Sequence, residues 1–345
     1  MTETTPFPRI LAEIESSDGL SAELARRAFD EILEGLWTSA QISGLLVALR
    51  SRPDSPTVVT AAAQSLRAAM VPVRHRHSKV VDTCGTGGDG HGTLNLSTGA
   101  AIMLAACGIK VAKHGNRAMS SKTGAADVLE QLGIPVTLPP VAAEQLLEEV
   151  GIAFMLAPTH HPAMRFAAPV RRELGVRTLF NCLGPLANPA AANYQLLGAY
   201  SDSIRPVLAE VLKRLGCEKA WVVHSVDGMD ELSPFGPTRI TQLAAGALSE
   251  FELAPSDFGL APSHKGAING AGPDFNAQAL TDVLAGKPHP ARNAFVLNAA
   301  AALVVAESIT PKDAAARMQQ ALDSGAAFDK INAWREAAQR QSKET

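Results

Sequence analysis

The feature that most restricts the fold is an alternation of short apolar runs and helical segments that begins near residue 80. Four apolar runs in the first half of this region are predicted strands: 80–83, 109–113, 134–138 and 152–157. The helices between them are followed by Gly108, Gly133 and Gly151, and glycine after the last turn is a usual helix stop. Apolar strands that alternate with helices predict an α/β fold, with a mostly parallel central sheet flanked by helices.

The alternation resumes after residue 190 and continues through the C-terminal part of the chain. Further strands are predicted at 194–200, 220–224, 238–243 and 248–253. Further helices are predicted at 203–215, 277–284, 291–306, 312–322 and 328–338. Because ligands of parallel sheets bind at the carboxyl ends of the strands, the loops that follow these strands are the candidate sites.

The N-terminal part shows helical periodicity only, and we predict a smaller all-helical domain over residues 1–72. Thr38 and Gln41 form a capping box before an apolar helix. Another helix begins at Ser55–Pro56, with proline at its first position. No strand pattern interrupts these helices.

Residues 71–79 break the helical period, and we predict a hinge there that leads into an α/β domain over 73–345. The basic and histidine residues of this stretch fit an exposed hinge better than the alternative, a small anion-binding patch. The stretch 162–190, which contains Pro169, interrupts the alternation of strands and helices. We expect it to join the helical domain.

The composition narrows the class of protein. A chain of 345 residues with 46% hydrophobic residues can bury a sizeable core. A net charge of −3 argues against binding nucleic acid or an anionic membrane. No signal-peptide pattern and no apolar run of about 18 residues is visible, so we expect a cytoplasmic protein. Four scattered cysteines without CxxC spacing predict buried thiols and argue against a zinc site or a disulfide framework.

The run Val80–Thr98 passes from an apolar strand through a glycine-rich loop into an apolar helix. Glycines let the backbone approach an anion closely, and a helix start offers unpaired N–H groups. Gly85, Gly87 and Gly90 match the dinucleotide pattern GxGxxG, but the second strand ends in Lys113 and not in the expected acidic residue. The loop therefore predicts a phosphate site of another kind, and a glycine-rich turn without a ligand is the alternative.

A second candidate phosphate loop follows the second strand, over residues 113–124. It collects cations, hydroxyl groups and a glycine, and parallel topology places it beside the first loop. Two adjacent phosphate sites suggest a ligand that carries phosphates at two separate places. A basic surface loop is the alternative.

Asp230 and Glu231 lie in the loop after the predicted strand 220–224, which brings them to the same edge of the sheet. Adjacent carboxylates repel each other and would also repel a phosphate. Mg²⁺ resolves this conflict because it binds one or two carboxylates together with phosphate oxygens. A solvated acidic turn is the alternative.

Several long motifs in the same order resemble the anthranilate phosphoribosyltransferase family, from the N-terminal helices to the helix near residue 300. The motifs are Cys84–Asp89, Asn95–Thr98, Lys113–Arg117, Ser120–Leu129, His161–Met164, Pro169–Arg171, Leu183–Pro189 and Gly228–Glu231. The resemblance implies transfer of the phosphoribosyl group of 5-phosphoribosyl 1-pyrophosphate to the amine of anthranilate, a step of tryptophan biosynthesis. It also implies a homodimer formed through the helical domains.

The resemblance assigns residues to each ligand. Those implied for phosphoribosyl pyrophosphate are Gly85, Gly87, Gly88, Asp89, Thr93, Asn95, Leu96, Ser97, Thr98, Lys113, His114, Gly115, Asn116, Arg117, Ala118, Met119, Ser120, Ser121 and Ala125. Those implied for anthranilate are Gly85, Asn116, His161, Arg171 and Pro185. Two magnesium ions are implied, one at Ser97 and one at Asp230 and Glu231.

Three alternatives stay open at this point. A pyrimidine nucleoside phosphorylase-like enzyme would share the fold but use inorganic phosphate and a nucleoside. A non-catalytic nucleotide-binding relative would keep the fold alone. For His161, a role as metal ligand or general base competes with the favoured role as a wall for the aromatic ring.

Overall fold

The computed structural model describes residues 5–51, 55–118 and 122–344, and its N-terminal part is a helical bundle. The bundle consists of α1 (Phe7–Glu15), α2 (Ala22–Leu33), α3 (Ser39–Leu49) and α4 (Pro56–Ala68). The predicted capping box is present, since Thr38 and Gln41 bond each other's backbone at the start of α3. Pro56 is the first residue of α4, and the Ser55 side chain caps that helix.

The rest of the chain is built from strands and helices. The strands are β1 (Val81–Gly85), β2 (Val111–Gly115), β3 (Ile152–Leu156), β4 (Tyr194–Gly198), β5 (Lys219–Ser225), β6 (Thr238–Ala244) and β7 (Ala247–Leu253). The helices are α5 (Leu96–Ala106), α6 (Ala125–Gln131), α7 (Pro140–Glu149), α8 (Ala157–His160), α9 (Ala168–Leu174), α10 (Phe180–Leu186), α11 (Ile204–Arg214), α12 (Pro273–Leu284), α13 (Arg292–Glu307), α14 (Pro311–Asp323) and α15 (Ala326–Lys343).

The strands form one sheet in the order β3-β2-β1-β4-β5-β6-β7. The first five strands in this order are parallel, and β6 and β7 are antiparallel additions. The chain moves from β1 outward to β2 and β3 and then returns to the other side of β1 with β4. This reversal makes the β1/β4 edge the topological switch point, where open α/β sheets bind ligands. The mostly parallel sheet predicted from the sequence is confirmed.

The sheet separates two hydrophobic cores. Along β4, Leu196 belongs to one core and Leu197 to the other, and Trp221 and Val222 divide in the same way along β5. Helices α5, α13, α14 and α15 fill the first core. The helical bundle, α10 and α11 fill the second. Both faces of the sheet are therefore covered.

The segment after β3 packs on the helical bundle. α9 contacts α3, while α10 and α11 contact α4. Arg67 in the last turn of α4 donates from Nε to the Leu186 carbonyl at 2.7 Å and from Nη1 to the Leu215 carbonyl at 3.1 Å. Of these contacts, those of α9, α10 and Leu186 lie within 162–190, and the assignment of that segment to the helical domain stays a prediction. The division of the chain at residue 72 stays a prediction.

The hinge segment is held at several points along its length. The Val71 N–H donates to the His160 carbonyl at 2.8 Å, and the Val73 N–H donates to the Pro189 carbonyl at 2.9 Å. The Arg74 N–H donates to the Glu144 carboxylate at 2.8 Å. The hinge is thus tied to the sheet-flanking helix α7 and to the segment that packs on the helical bundle.

The predicted strand at 134–138 is wrong. Ile134, Val136 and Leu138 are buried and alternate with more exposed residues, as in a half-buried strand. The segment nevertheless forms no ladder with any strand of the described residues. Its alternation reflects an extended chain that covers the core, because burial has the same period whether or not a neighbouring strand is present.

No single helix of the described ranges is both long and apolar enough to cross a membrane. α13 and α14 reach that length and composition only as a pair bent by 120°.

Candidate active site

The glycine loop lies at the switch point between β1 and β4. The Thr86 N–H donates to the Gly198 carbonyl at the end of β4, at 2.9 Å. Gly87 and Gly88 have φ values of 67° and 78°, a backbone region that glycine adopts without strain. The loop then leads through Asn95 into α5, so that the N–H groups of a helix start lie at the same edge of the sheet.

The acidic pair packs directly on this loop. The Gly87 N–H donates to Oδ2 of Asp230 at 2.8 Å. Neither Gly85 nor Gly198 has room for a side chain, because a Cβ atom would lie 2.5 Å from Asp230 Oδ2 and 1.6 Å from the Asp230 carbonyl oxygen, respectively. The ends of β1 and β4 therefore form the surface on which the acidic loop rests. Two motifs that are 143 residues apart in sequence meet here.

Three carboxyl groups crowd one another at this edge. Asp89 Oδ2 accepts a hydrogen bond from the Asp230 N–H at 3.4 Å, and Glu231 Oε2 accepts one from the Thr93 hydroxyl at 3.3 Å. Burial and then the nearby Asp89 carboxylate raise the pKa of Asp230 to about 6. Burial, followed by Asp230 and Asp89, raises the pKa of Glu231 well above its usual range. The negative charge is costly here unless a cation neutralises it.

A cavity of about 170 Å³ opens between these elements. Its lining consists of Thr83, Cys84, Gly85, Gly87, Ser97, Leu196, Gly198, Val223, Asp230, Glu231 and Asn298. Within the described residues, no three histidine, cysteine or carboxylate side chains are arranged to hold a metal by themselves. A metal at this cavity would need further ligands, as Mg²⁺ bound with a phosphate has.

Lys113 lies beneath the first loop. Its Nζ donates to the Thr83 carbonyl at 2.5 Å and to the Ser97 hydroxyl at 3.2 Å. Burial lowers the pKa of Lys113, although Asp82 and other acidic neighbours act against this shift. The side chain thus ties β1 to the first turn of α5. It places a buried cation close to the predicted metal ligand Ser97.

The second loop is closed onto the start of α6. The N–H groups of Ala118 and Gly124 both donate to Oδ2 of Asp127 at 2.9 Å. A Cβ atom on Gly124 would lie 2.4 Å from the Ala118 nitrogen. Arg117 is paired with Glu130, its Nη2 lying 2.7 Å from Oε1. Asn116 accepts the Arg117 N–H through Oδ1 at 2.8 Å.

Two other residues predicted for phosphoribosyl pyrophosphate lie at the two ends of this loop. Ala125 is the first residue of α6, and Gly115 is the last residue of β2. Met119, Ser120 and Ser121 lie outside the described residues.

Two histidines meet beside α10. The ring centroids of His114 and His161 are 5.0 Å apart, and Nδ1 of His114 lies 3.0 Å from the Gly184 carbonyl. Burial and the neighbouring His161 lower the pKa of His114 to about 3. Burial and His160 lower the pKa of His161 to about 4. A pKa of about 4 lies well below neutral pH and makes His161 a weak base, which favours His161 as a wall over His161 as a general base.

Arg171 and Pro185 also belong to the segment that packs on the helical bundle. The Arg171 guanidinium lies 5.4 Å from the ring centroid of Phe180, and burial lowers its pKa. None of the ion pairs within the described part of the chain involves Arg171. The Pro185 carbonyl accepts a hydrogen bond from Gln195 Nε2 at 2.7 Å. Arg171, His161 and Pro185 do not line the cavity at the acidic pair.

The arrangement has counterparts among known proteins. Residues 8–70 match the model of the glycosyl transferase family, helical bundle domain, and residues 77–328 match that of the glycosyl transferase family, a/b domain. An anthranilate phosphoribosyltransferase of Rhodospirillum rubrum is 47% identical over 331 residues, which cover 96% of this chain and 95% of that protein. The chain belongs to the anthranilate phosphoribosyltransferase family.

Solved structures of the anthranilate phosphoribosyltransferase family share the fold. The enzyme of Thermus thermophilus matches with a TM-score of 0.89 and 38% identity, covering 96% of this chain and 99% of that one. The enzyme of Saccharomyces cerevisiae in complex with PRPP and Mg matches with a TM-score of 0.89 and 27% identity. The match covers 97% of this chain and 98% of that one. The family predicted from the sequence motifs is confirmed.

Arg177 is a residue of this candidate site that sequence reasoning missed. Its Nη2 donates to the Gly88 carbonyl at 2.9 Å and to the Gly87 carbonyl at 3.2 Å. Its guanidinium stacks 3.9 Å from the ring centroid of Tyr200. By holding two carbonyl groups, Arg177 fixes the orientation of the peptide groups in the glycine loop. No local pattern around residue 177 indicates this contact.

Two buried asparagines were also missed. Asn298 of α13 accepts the Leu232 N–H at 3.0 Å and donates to the Leu232 carbonyl at 3.1 Å, which clamps the chain just after the acidic pair. Asn188 donates to the buried Asp82 carboxylate at 2.8 Å. An asparagine inside the apolar run 294–306 is the one signal that could have pointed to Asn298.

Proposed function

We propose that the protein transfers the phosphoribosyl group of 5-phosphoribosyl 1-pyrophosphate to anthranilate. The anthranilate nitrogen forms a bond to ribose C1, the bond from C1 to the pyrophosphate oxygen breaks, and the amine releases a proton to solvent. The products are N-(5-phosphoribosyl)anthranilate and pyrophosphate. The observation that carries this proposal is the buried pair Asp230 and Glu231, packed onto a glycine loop whose N–H groups suit an anion.

The glycine loop and the start of α5 suit the pyrophosphate end of this substrate. They offer backbone N–H groups, a helix N-terminus and hydroxyl groups at one edge of the sheet. We assign to phosphoribosyl pyrophosphate Gly85, Gly87, Gly88, Asp89, Thr93, Asn95, Leu96, Ser97 and Thr98. The second loop is assigned to the other phosphate and the ribose, through Lys113–Ser121 and Ala125.

The acidic pair fits magnesium. Asp230 and Glu231 are buried, and burial together with the neighbouring carboxylates raises their pKa values. Ser97 provides a hydroxyl oxygen to the same cavity. We propose two ions, one held at Ser97 and one at Asp230 and Glu231. Bound magnesium would neutralise the negative charge that develops on the departing pyrophosphate.

The protein's own groups position the amine and need not activate it strongly. An aniline-type nitrogen carries a free lone pair, so orientation and stabilisation of the leaving group contribute most. Arg171 presents a guanidinium that can form two hydrogen bonds to the anthranilate carboxylate. His161, with a pKa of about 4, lines the approach of the ring together with Pro185, Asn116 and Gly85.

A fluorescence assay tests the proposed reaction. Anthranilate is incubated with the protein, phosphoribosyl pyrophosphate and Mg²⁺, and the expected result is a progressive loss of anthranilate fluorescence. Omission of either phosphoribosyl pyrophosphate or Mg²⁺ should abolish the loss. No loss with folded protein and fresh substrates would refute the proposal. Release of a base from a nucleoside with inorganic phosphate would instead indicate the phosphorylase alternative.

The magnesium assignment has its own test. Asp230→Asn combined with Glu231→Gln should shift the magnesium activation curve to higher concentration, while circular dichroism shows the same fold. Neutral amides keep the shape of both side chains but lose the charges that hold the ion. An unaltered magnesium titration would count against these two residues.

We propose a homodimer formed through the helical domains, where Leu36 and Val47 expose 49% of their surface each. Light scattering should give twice the chain mass, and Val47→Glu should reduce it if this face is used. We also propose a cytoplasmic location, which suits the absence of disulfides among the cysteines of the described residues.

A further inference from the structure

A chain of three hydrogen bonds connects the two phosphate loops through α12. Asn276 in the first turn of α12 donates from Nδ2 to Oδ1 of Asn95 at 2.9 Å. Oδ1 of Asn276 accepts the N–H of Ala271 at 2.8 Å. The Ala271 carbonyl in turn accepts the hydroxyl of Thr123, next to Gly124 of the second loop, at 2.6 Å. Asn276 is 2% exposed, and the three hydrogen bonds are partly buried.

The donor and acceptor roles of these three hydrogen bonds fix the orientation of the Asn276 and Asn95 amides. A backbone N–H can only donate, so the Ala271 N–H requires that the oxygen of Asn276 faces it. The Asn276 NH₂ group must then face Asn95, and it requires that the oxygen of Asn95 accepts. The NH₂ group of Asn95 is left as the free end of its side chain. Among the described residues it has no hydrogen-bond partner.

Backbone hydrogen bonds also hold the segments next to Asn95 and Ala271 together. The Leu94 N–H donates to the Ile268 carbonyl at 2.8 Å, and the Gly270 N–H donates to the Gly92 carbonyl at 2.8 Å. A Cβ atom on Gly270 would lie 2.5 Å from the Thr93 carbonyl oxygen, so the two segments lie too close together for a side chain at residue 270. The segment before α12 thus forms a fixed support for the last residues of the glycine loop.

We propose that Asn276 is a positioning residue for phosphoribosyl pyrophosphate. It orients Asn95 so that a hydrogen-bond donor, and not an acceptor, faces the anion at the start of α5. The proposal rests on the proposed function, because it takes Asn95 as a ligand of that substrate.

Two substitutions separate this role from a general effect on folding. Asn276→Leu has a similar shape and removes both hydrogen bonds without adding charge. Asn276→Asp keeps the oxygen that accepts the Ala271 N–H but has no group that can donate to Asn95. In Asn276→Asp, Asn95 satisfies the new carboxylate only by turning its own NH₂ group away from the substrate. Thr281→Ala, which removes a bond to the Ala277 carbonyl within the same helix, is the matched control.

The readout is the KM for each substrate in the fluorescence assay, together with binding of magnesium pyrophosphate measured by calorimetry. We expect Asn276→Leu to raise the KM for phosphoribosyl pyrophosphate about 10-fold, with the anthranilate KM within about twofold of wild type. Asn276→Asp should raise it further. Thr281→Ala should leave both values unchanged.

Each effect must also depend on Asn95. In an Asn95→Ala background, Asn276→Leu and Asn276→Asp should add less than about twofold to the KM, because the group they orient is gone. Simple charge repulsion by Asn276→Asp would persist in that background and would overturn the proposal. So would a wild-type KM in Asn276→Leu, or an equal change for both substrates. Failure of the proposed function is separate, since wild type itself would then show no turnover.

Discussion

Gly198 at the end of β4 gives the sharpest test of how the acidic pair is held. A Cβ atom at this position would lie 1.6 Å from the Asp230 carbonyl oxygen, whereas real Cβ atoms essentially never come closer than 3.0 Å to another heavy atom. In Gly198→Ala the Asp230 peptide must therefore retreat by about 1.4 Å. A displacement of about 1 Å in a reacting site can cost about 100-fold in rate. We expect kcat to fall by about 100-fold or more.

The same substitution should have only a moderate effect on folding. Insertion of a methyl group into a packed site costs about 1–3 kcal/mol, so the free energy of unfolding in urea should fall by that amount. Gly44→Ala in α3 is the control, because its Cβ would meet only the end of the Phe7 ring, at 2.7 Å. Gly44→Ala should keep its kcat. A Gly198→Ala protein with kcat within about threefold of wild type and an unchanged magnesium requirement would refute the reasoning.

Three further predictions concern the arginines and His161. Arg171→Ala should raise the anthranilate KM about 10-fold or more, since a charged hydrogen-bond pair contributes about 1.5–3 kcal/mol; an unchanged KM would place the carboxylate elsewhere. Arg177→Lys should raise the KM for phosphoribosyl pyrophosphate about as much as Arg177→Ala, because lysine cannot both stack on Tyr200 and reach two carbonyls. The pKa of His161 is lowered to about 4, so its contribution to stability is complete above pH 6.5 and is lost as the pH falls towards 4. In urea unfolding, the free energy of unfolding of wild type should fall between pH 7 and pH 4 by about 3 kcal/mol more than that of His161→Phe. An identical fall in the two proteins would contradict this.

The sequence predicts the fold well because most of its signals are local. Glycines after helices, the capping box at Thr38 and Gln41, and proline at Pro56 each act within a few residues. The alternation of strands and helices then leaves few topologies. Topology also explains why the glycine loop and the pair at Asp230 could be placed at one edge of the sheet before any contact was known.

The residues that hold the loops could not be predicted in the same way. Arg177 reaches the glycine loop from about 90 residues away, and Asn276 reaches Asn95 from 181 residues away. A single arginine or asparagine forms no periodic pattern in the sequence. Its partner is a backbone carbonyl or an asparagine side chain, which many positions in the chain could offer. Such contacts follow from how the elements pack in three dimensions, and no local pattern encodes them.

The central place of β1 in the sheet bears on the order in which the molecule can be assembled. β1 is the first strand to leave the ribosome, yet it lies between β2 and β4 in the sheet. The Gly87 N–H that follows β1 donates to the Asp230 carboxylate, which is synthesised 143 residues later. Contacts between such distant residues form slowly, because a long loop must close before they are gained. A nascent chain that ends before residue 230 therefore has the glycine loop but not the acidic surface that holds it. Substrate can then stabilise only a chain that extends past residue 230, and its binding requires that this acidic surface has formed.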